Sequence, residues 1–295
     1  MADMTTTLVK AWTGAQKRLK AADIDSPAID ARLLLEAATN ATRADILTDP
    51  YREISDAQEA LLDGYLSRRE KREPEARILG RKGFWKLLLN VSPAVLTPRP
   101  DTETIVELAL KAFPENAAFQ MADLGVGSGA MLLAILAERP AARGIGTDVS
   151  EEALAVAKDN AANLDLEGRA TFLRTDWGAG LPDGAFDLIV SNPPYIRTDE
   201  IPTLQPEVKD HEPMLALDGG PDGLKAYREL VPEIFRLLKD DGLFYVEIGH
   251  DQSAEVETLF REAGGWDVVT VKDLGNRDRV VTGRKKALGK AAATR

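Results

Sequence analysis

The sequence predicts an α/β protein in which a small helical domain precedes a mostly parallel sheet with helices on both faces. Apolar residues recur at helical spacing near the start of the chain, as Leu8, Trp12, Ala15 and Leu19. After residue 98, short apolar runs typical of strands alternate with helical patterns. A chain of 295 residues is also long enough for one large and one small domain.

Two start signals define helices in the N-terminal part. Ser26 and Pro27 predict a helix start, with a capping side chain followed by proline at the first helical position. Ser55 and Gln58 have the spacing of a capping box and predict another helix. We expect the first of these helices to bury a stripe made of Ile29, Leu33 and Ala37.

A hairpin is expected where the composition changes after the charged stretch 68–75. Residues 77–79 and 84–89 flank Gly80-Arg81-Lys82-Gly83, a pattern that predicts two short strands joined by a turn. We therefore divide the chain into a helical domain at 1–75, a hairpin linker at 76–97 and a sheet domain at 98–283. A basic tail at 284–295 is expected to be disordered.

Strands and helices alternate through the sheet domain. Strands are expected at 120–124, 144–147, 170–174, 186–191 and 243–248. Helices are expected at 129–138, 151–163 and 224–238. Such alternation predicts parallel strands joined by crossover helices.

The composition makes several classes of function improbable. The chain has no cysteine and only two histidines, so we expect no metal site. No apolar run approaches the length of about 20 residues that spans a bilayer, and no signal peptide is evident. We expect a cytoplasmic protein with no membrane partner. A net charge of -11 argues weakly against direct binding of nucleic acid.

A glycine-rich turn follows the first predicted strand of the sheet. Gly125-Val126-Gly127-Ser128-Gly129 opens the next helix, and glycines there let the backbone approach a ligand closely. Asp148 ends the second strand, where a carboxylate accepts hydrogen bonds from ribose hydroxyls. Trp177 follows the third strand and is either an adenine-packing ring or a core residue. These residues predict a nucleoside ligand, and they fit NAD and S-adenosyl-L-methionine equally.

Asn192-Pro193-Pro194-Tyr195 follows the fourth strand and favours methyl transfer. The nitrogen of a planar amide or exocyclic amine is a poor nucleophile because its lone pair is delocalised. An Asn192 oxygen and a backbone carbonyl accept its two N–H groups, which favours the charge that develops on attack and aligns the nitrogen with a sulfonium methyl. The two prolines stiffen the loop, and Tyr195 is expected to offer a flat face to the substrate. A hydride-transfer enzyme needs no such loop.

With these motifs the chain resembles the protein-(glutamine-N5) methyltransferases of peptide chain release factors (the PrmC/HemK family). The segment 97–103, the glycine loop, Asp148, Trp177 and the Asn-Pro-Pro-Tyr loop all fall at positions of the family's motifs. Glu212-Pro213 and residues 217–223 are similar to its loop that covers the site. Val126 stands where the family usually has threonine.

The resemblance implies an N-terminal substrate-recognition domain, followed along the chain by a Rossmann-like, seven-stranded class I methyltransferase domain. A β-hairpin hinge is expected to join the two. It implies that Gly125, Val126, Gly127, Ser128, Gly129, Asp148, Trp177 and Asn192 bind S-adenosylmethionine. It places catalysis on Asn192, Pro193 and Tyr195, with Pro194 also binding the substrate. The implied substrate is the glutamine of the Gly-Gly-Gln motif in bacterial class I release factors. We expect the enzyme to be a monomer.

Two other functions remain open from the residues. A nucleic-acid methyltransferase acting on adenine N6 would use the same tetrapeptide, but it should carry a basic target-recognition region, and no such globular segment is evident. A binding module that has lost catalysis would not need Asn192 and an intact glycine loop. Asp101, Glu103 and Glu212 are further carboxylates for which structural roles are expected.

Overall fold

The computed structural model describes residues 6–287, which form two compact units. The helical unit extends to Arg81 and also contains Gln205–His211. The sheet unit contains Lys82–Leu204 and residues 212–287. The expected tail residues 288–295 lie outside the described part of the chain.

Short amphipathic helices build the helical unit. They are α1 (Leu8–Ala21), α2 (Pro27–Thr39), α3 (Arg43–Thr48), α4 (Asp56–Glu70) and α5 (Glu75–Leu79). Leu8, Ala15 and Leu19 of α1 are buried, as the helical spacing predicted. The capping box at the start of α4 is confirmed, with the Ser55 hydroxyl accepting from the Gln58 backbone N–H and the Gln58 side chain accepting from Ser55.

The predicted buried face of α2 is wrong. Ile29 is 56% exposed, and the core of the unit instead contains Ala31, Leu34, Leu35 and Ala38. Apolar residues surround much of this helix, so spacing alone did not identify the side that faces α1 and α4. Ser26 also makes no capping bond, because its hydroxyl donates to Asp30 Oδ1 at 3.0 Å.

A two-stranded hairpin, β1 (Arg81–Phe84) and β2 (Leu87–Asn90), lies at the start of the sheet unit, and only its first residue, Arg81, is counted with the helical unit. Its remaining elements are, in chain order, α6 (Glu103–Ala112), β3 (Gln120–Leu124), α7 (Ala130–Glu138), β4 (Arg143–Asp148), α8 (Glu151–Asn163), β5 (Ala170–Arg174), β6 (Phe186–Ser191), α10 (Lys225–Leu237), β7 (Leu238–Glu247), α11 (Ser253–Glu262), β8 (Gly265–Lys272) and β9 (Asp278–Lys285). The short helix α9 (Pro206–Lys209) belongs to the helical unit.

The hairpin is present, but its turn is not where the sequence predicted it. Residues 77–79 belong to α5, which Gly80 ends with a left-handed φ of 67°. The turn lies at Trp85 and Lys86, between β1 and β2, and Trp85 itself has a φ of 55°. At the other end of the chain, Arg284 and Lys285 pair within β9 and are not part of a tail.

The main sheet has the strand order β5-β4-β3-β6-β7-β9-β8 within the described residues. Neighbours from β5 to β7 are parallel, and β9 pairs antiparallel with both β7 and β8. The chain moves outward from β3 to β5 and then returns to place β6 on the other side of β3. This reversal creates a crevice at the carboxyl ends of β3 and β6, where ligands bind in open α/β sheets. The predicted seven-stranded α/β fold is confirmed.

Successive residues of the central strands face opposite cores. Met121, Leu188 and Val190 pack with α7 and α8, whereas Ala122 and Ile189 pack with α10 and α11. Both faces of the sheet are therefore covered, which explains why its strands read as continuous apolar runs.

A cluster of ion pairs attaches α9 to α4 inside the helical unit. The guanidinium of Arg69 bonds to Asp30 at 2.7 Å and to Glu207 at 3.0 Å. Arg72 Nε lies 2.8 Å from Glu207. Burial alone would raise the pKa of Glu207, but the bonds from Arg72 and Arg69 hold it below its ordinary value. Segment 205–211 therefore completes the helical unit from far along the chain.

No helix among residues 6–287 has both the length and the apolar character needed to cross a membrane.

Candidate active site

The glycine loop after β3 forms one wall of a cavity of about 910 Å³ inside the sheet unit. Gly125, Val126, Gly127 and Ser128 all line it. Gly125 and Gly127 have φ angles of 78° and 52°, which L side chains rarely adopt. No atom lies within 4 Å of a Cβ built on Gly127, so the space above the turn is open to a ligand.

The resemblance also assigns Gly129 to the cofactor, and the structure places this residue at the end of the glycine loop. It is not among the cavity-lining residues and instead caps the start of α7 with a φ of 85°. A Cβ at this position would lie 2.9 Å from Leu133 Cδ1. Gly129 therefore allows the helix to pack closely, and its assignment to the cofactor stays a prediction.

Asp148 holds the glycine loop in place and also faces the cavity. Its carboxylate accepts from the backbone N–H of Gly127 at 3.0 Å and from that of Ser150 at 2.9 Å. Each oxygen has one of these bonds and retains acceptor capacity for a ligand hydroxyl. The placement fits a ribose site at the end of β4.

Trp177 lines the cavity next to the glycine loop. Its indole N–H donates to Glu229 Oε2 at 3.2 Å, and a Cβ on Gly125 would lie 3.5 Å from its ring. The ring thus lies next to the turn at Gly125, and Trp177 also packs on the core that contains α10 and α11. Glu229, which also lines the cavity, was not identified from the sequence.

The Asn-Pro-Pro-Tyr loop begins where β6 ends, beside β3. The Ser191 hydroxyl donates to the Leu124 carbonyl at 2.6 Å and fixes the two strand ends together. Asn192, Pro193 and Pro194 line the same cavity as the glycine loop. Asn192 Nδ2 donates to Thr102 Oγ1 at 3.3 Å, and no donor among residues 6–287 bonds to Asn192 Oδ1. The amide oxygen is therefore the atom left for a ligand.

Tyr195 is not among the residues that line the cavity, so the flat surface that it was expected to offer the substrate stays a prediction. Its side chain packs on the core that contains α10 and α11, and its hydroxyl donates to Glu247 Oε1 at 3.3 Å. Its backbone carbonyl accepts from Gln252 Nε2 at 3.0 Å. A Cβ on Gly223 would lie 2.6 Å from that carbonyl. Tyr195 therefore anchors the loop from behind.

Glu247 is a buried carboxylate that the sequence analysis missed. It ends β7, is 2% exposed and accepts from the Thr102 hydroxyl at 2.6 Å. Burial raises the pKa of Glu247 to about 7, although the Thr102 hydroxyl and the charge of Arg279 oppose the rise. A charged residue inside the apolar run 243–248 was the available signal, since buried carboxylates need a specific reason.

The other carboxylates that the sequence singled out have structural partners. Glu212 is buried, accepts from the Thr97 backbone N–H at 3.1 Å and pairs with Arg99 at 3.1 Å. Glu103 accepts from the Trp85 backbone N–H at 2.7 Å. The neighbouring segment 213–216 lines the cavity, and its Met214 and Leu215 are exposed.

These elements together fit a nucleoside cofactor and a planar amide. A cavity of 910 Å³ is within the range of about 300–1,000 Å³ typical of small-molecule sites. It combines an open glycine turn, a ribose-type carboxylate, an indole and an unbonded amide oxygen. Such a site can hold a cofactor and an amide next to each other and can accept hydrogen bonds from both.

Comparisons with known proteins agree with this assignment. The model of the PrmC N-terminal domain matches residues 10–80, and that of the methyltransferase small domain matches residues 100–208. A crystal structure of a methyltransferase from Pyrococcus furiosus has a TM-score of 0.50 at 18% identity and covers 68% of this chain and 89% of that chain. It supports the predicted methyltransferase fold.

Full-length relatives are more similar. Release factor glutamine methyltransferase from Caulobacter vibrioides is 66% identical over 285 residues, which are 97% of this chain and 99% of that protein. The protein of the same name from Agrobacterium fabrum is 43% identical over 275 residues, 92% of this chain and 95% of that protein. Both the fold and the relatives agree with the resemblance seen in the motifs, and the chain belongs to the release factor glutamine methyltransferase family.

Proposed function

We propose that this enzyme transfers a methyl group from S-adenosylmethionine to the N5 amide nitrogen of the glutamine in the Gly-Gly-Gln motif of bacterial class I release factors. The observation that carries the proposal is the unbonded Asn192 amide oxygen, which lies on the wall of the cavity that the glycine loop also lines. Membership of the family supplies the substrate class.

The bound cofactor supplies a methyl group made electrophilic by its sulfonium. The backbone of Gly125, Val126, Gly127 and Ser128 is close enough to the cavity to hold its polar groups. Asp148 would accept from the ribose hydroxyls of the bound cofactor, and Trp177 would pack against its adenine. Asn192 has the double role of closing this cofactor site and facing the substrate.

The substrate amide is held by acceptors and needs no nucleophilic side chain. Asn192 Oδ1 accepts one N–H of the glutamine, and the Pro193 carbonyl accepts the other. Pro193 and Pro194 restrict the backbone, so the carbonyl keeps its direction. The nitrogen loses its extra proton to water after transfer. Positioning and charge stabilisation thus account for catalysis.

Several further assignments belong to this proposal. The helical unit recognises the release factor, the enzyme acts in the cytoplasm as a monomer, and it does not bind nucleic acid directly. The net charge of -11 supports the absence of direct nucleic-acid binding.

Mass spectrometry of a release factor after incubation with enzyme and cofactor tests the proposal. We expect a gain of one methyl group on the loop glutamine. A substrate with that glutamine replaced by alanine is the control and should gain none. Duplex DNA in a parallel reaction tests the adenine alternative, and label in DNA alone would refute the proposed substrate.

A further inference from the structure

We propose that Thr102 and Glu247 are positioning residues that set the direction of the Asn192 amide, so that its oxygen faces the substrate nitrogen. The inference rests on the proposed function, because it explains why the oxygen of the Asn192 amide, and not its NH2 group, faces the substrate. It concerns a relay of three side chains from three separate parts of the sheet unit.

The relay is continuous in the structure. The Thr102 hydroxyl donates to Glu247 Oε2 at 2.6 Å, and Asn192 Nδ2 donates to Thr102 Oγ1 at 3.3 Å. On its other oxygen, Glu247 accepts from the Tyr195 hydroxyl at 3.3 Å. One buried carboxylate thus contacts both ends of the Asn192–Tyr195 loop, directly at Tyr195 and through Thr102 at Asn192.

An ionised Glu247 has only one compatible arrangement of hydrogen bonds. A carboxylate accepts and cannot donate, so the single hydroxyl proton of Thr102 is committed to Glu247. The Thr102 oxygen then faces Asn192 as an acceptor only. Asn192 must present its NH2 group to Thr102, and its oxygen is left on the cavity side.

A proton on Glu247 Oε2 removes this constraint. The carboxyl group then donates to Thr102, and the freed Thr102 hydroxyl donates to the oxygen of Asn192. The amide turns over and presents two donors to a substrate nitrogen that is itself a donor. Methyl transfer slows because the acceptor for the substrate N–H has been lost.

Groups around Glu247 place this change near neutral pH. Arg279 on β9 favours the charged form, and Asp101, before α6, disfavours it. Tyr195 donates to the carboxylate, and Tyr227 of α10 donates to the Glu247 backbone carbonyl at 3.0 Å. Burial dominates these contributions and raises the pKa of Glu247.

The test compares pH profiles of kcat between pH 5.5 and 8.5. We expect the wild-type rate to fall about tenfold on the acid side, the effect of one hydrogen bond to a charged group. Thr102→Val breaks the relay, so its rate should be about tenfold lower at pH 8.5 and independent of pH. Thr102→Ser keeps the hydroxyl and should restore the wild-type profile. Glu247→Gln removes the titration and should give a flat profile with unchanged cofactor affinity in calorimetry.

Thr270 and Glu257 provide a matched control. The Thr270 hydroxyl donates to Glu257 Oε1 at 2.6 Å, which is the same kind of pair away from the cavity. Thr270→Val and Glu257→Gln should keep the wild-type rate and profile.

Three results would overturn the relay. A flat wild-type profile would remove the role of Glu247 ionisation. An acid limb that persists in Thr102→Val would mean that Glu247 acts without Thr102, for example as a base. A wild-type rate in both Thr102→Val and Glu247→Gln would leave only a structural role. In each case methylation of glutamine by the wild type would still support the proposed function, whereas its absence would refute that function separately.

Discussion

Replacing Glu247 by glutamine should stabilise the fold at alkaline pH, although the same change slows the enzyme. The pKa of the Glu247 carboxyl rises from 4.5 to about 7 because the group is buried. Each tenfold change in proton affinity corresponds to about 1.4 kcal/mol, so ionising Glu247 in the folded state costs about 3 kcal/mol more than in the unfolded chain. Glutamine avoids this penalty since it never ionises.

The direction in which stability changes with pH depends on whether the folded or the unfolded state holds the proton of Glu247. Between about pH 4.5 and 7 the folded state keeps a proton that the unfolded chain has lost. The stability that the neutral carboxyl provides is complete below pH 4.5 and is lost as the pH rises through about 7. The advantage of Glu247→Gln over the wild type should therefore grow by about 2.5 kcal/mol from pH 5 to pH 8.5.

Urea unfolding of both proteins at the two pH values measures this difference. Every other titrating group is common to both proteins and cancels in the comparison. If the difference in free energy of unfolding between the two proteins is the same at pH 5 and pH 8.5, or shrinks with rising pH, then burial does not destabilise the ionised form of Glu247.

Three further changes test other parts of the structure. Asn192→Ala should lower turnover at least about 100-fold while calorimetry finds cofactor binding retained, and a near-normal rate would remove its assigned role. Gly129→Ala should lower the free energy of unfolding by about 1–3 kcal/mol. The control Gly168→Ala, at a position with open space and no unusual φ, should change it by less than about 0.5 kcal/mol. Equal effects of the two substitutions would mean that the φ of Gly129 and its contact with Leu133 do not require glycine. Glu207→Ala should lower the free energy of unfolding, measured with urea, by about 2 kcal/mol, because the guanidinium of Arg69, which is 7% exposed, loses one of its two carboxylate partners. An unchanged free energy of unfolding would mean that Asp30 alone is enough to stabilise the buried Arg69.

Local patterns were enough to predict most of the sheet unit. The strands 120–124, 170–174 and 186–191 and the helix 151–163 have the predicted bounds. Each is a continuous apolar or amphipathic run that ends at a polar or turn-forming residue. The position of the Asn192 loop followed from one rule, that ligands bind at the carboxyl ends of parallel strands.

Features that depend on distant partners were not predicted. Glu247 gains its role from Thr102 and Tyr195, which are 145 and 52 residues away in the chain. Tyr195 was expected to face the substrate because its aromatic ring offers a flat surface, but in the structure its ring packs on the core that contains α10 and α11. The hairpin turn was misplaced because a left-handed tryptophan, Trp85, is a rare turn residue, whereas Gly80 and Gly83 looked like an ordinary turn.

The late segment 205–211 has a consequence for how the protein is synthesised. A ribosome releases Arg72 135 residues before its carboxylate partner Glu207. The nascent helical unit therefore lacks this ion-pair partner while the first four parallel strands of the sheet, β3 to β6, are translated. A fragment that stops at Arg81 lacks this segment, so the full chain, or the fragment with an added copy of 205–211, is the matched material for binding studies of the helical unit.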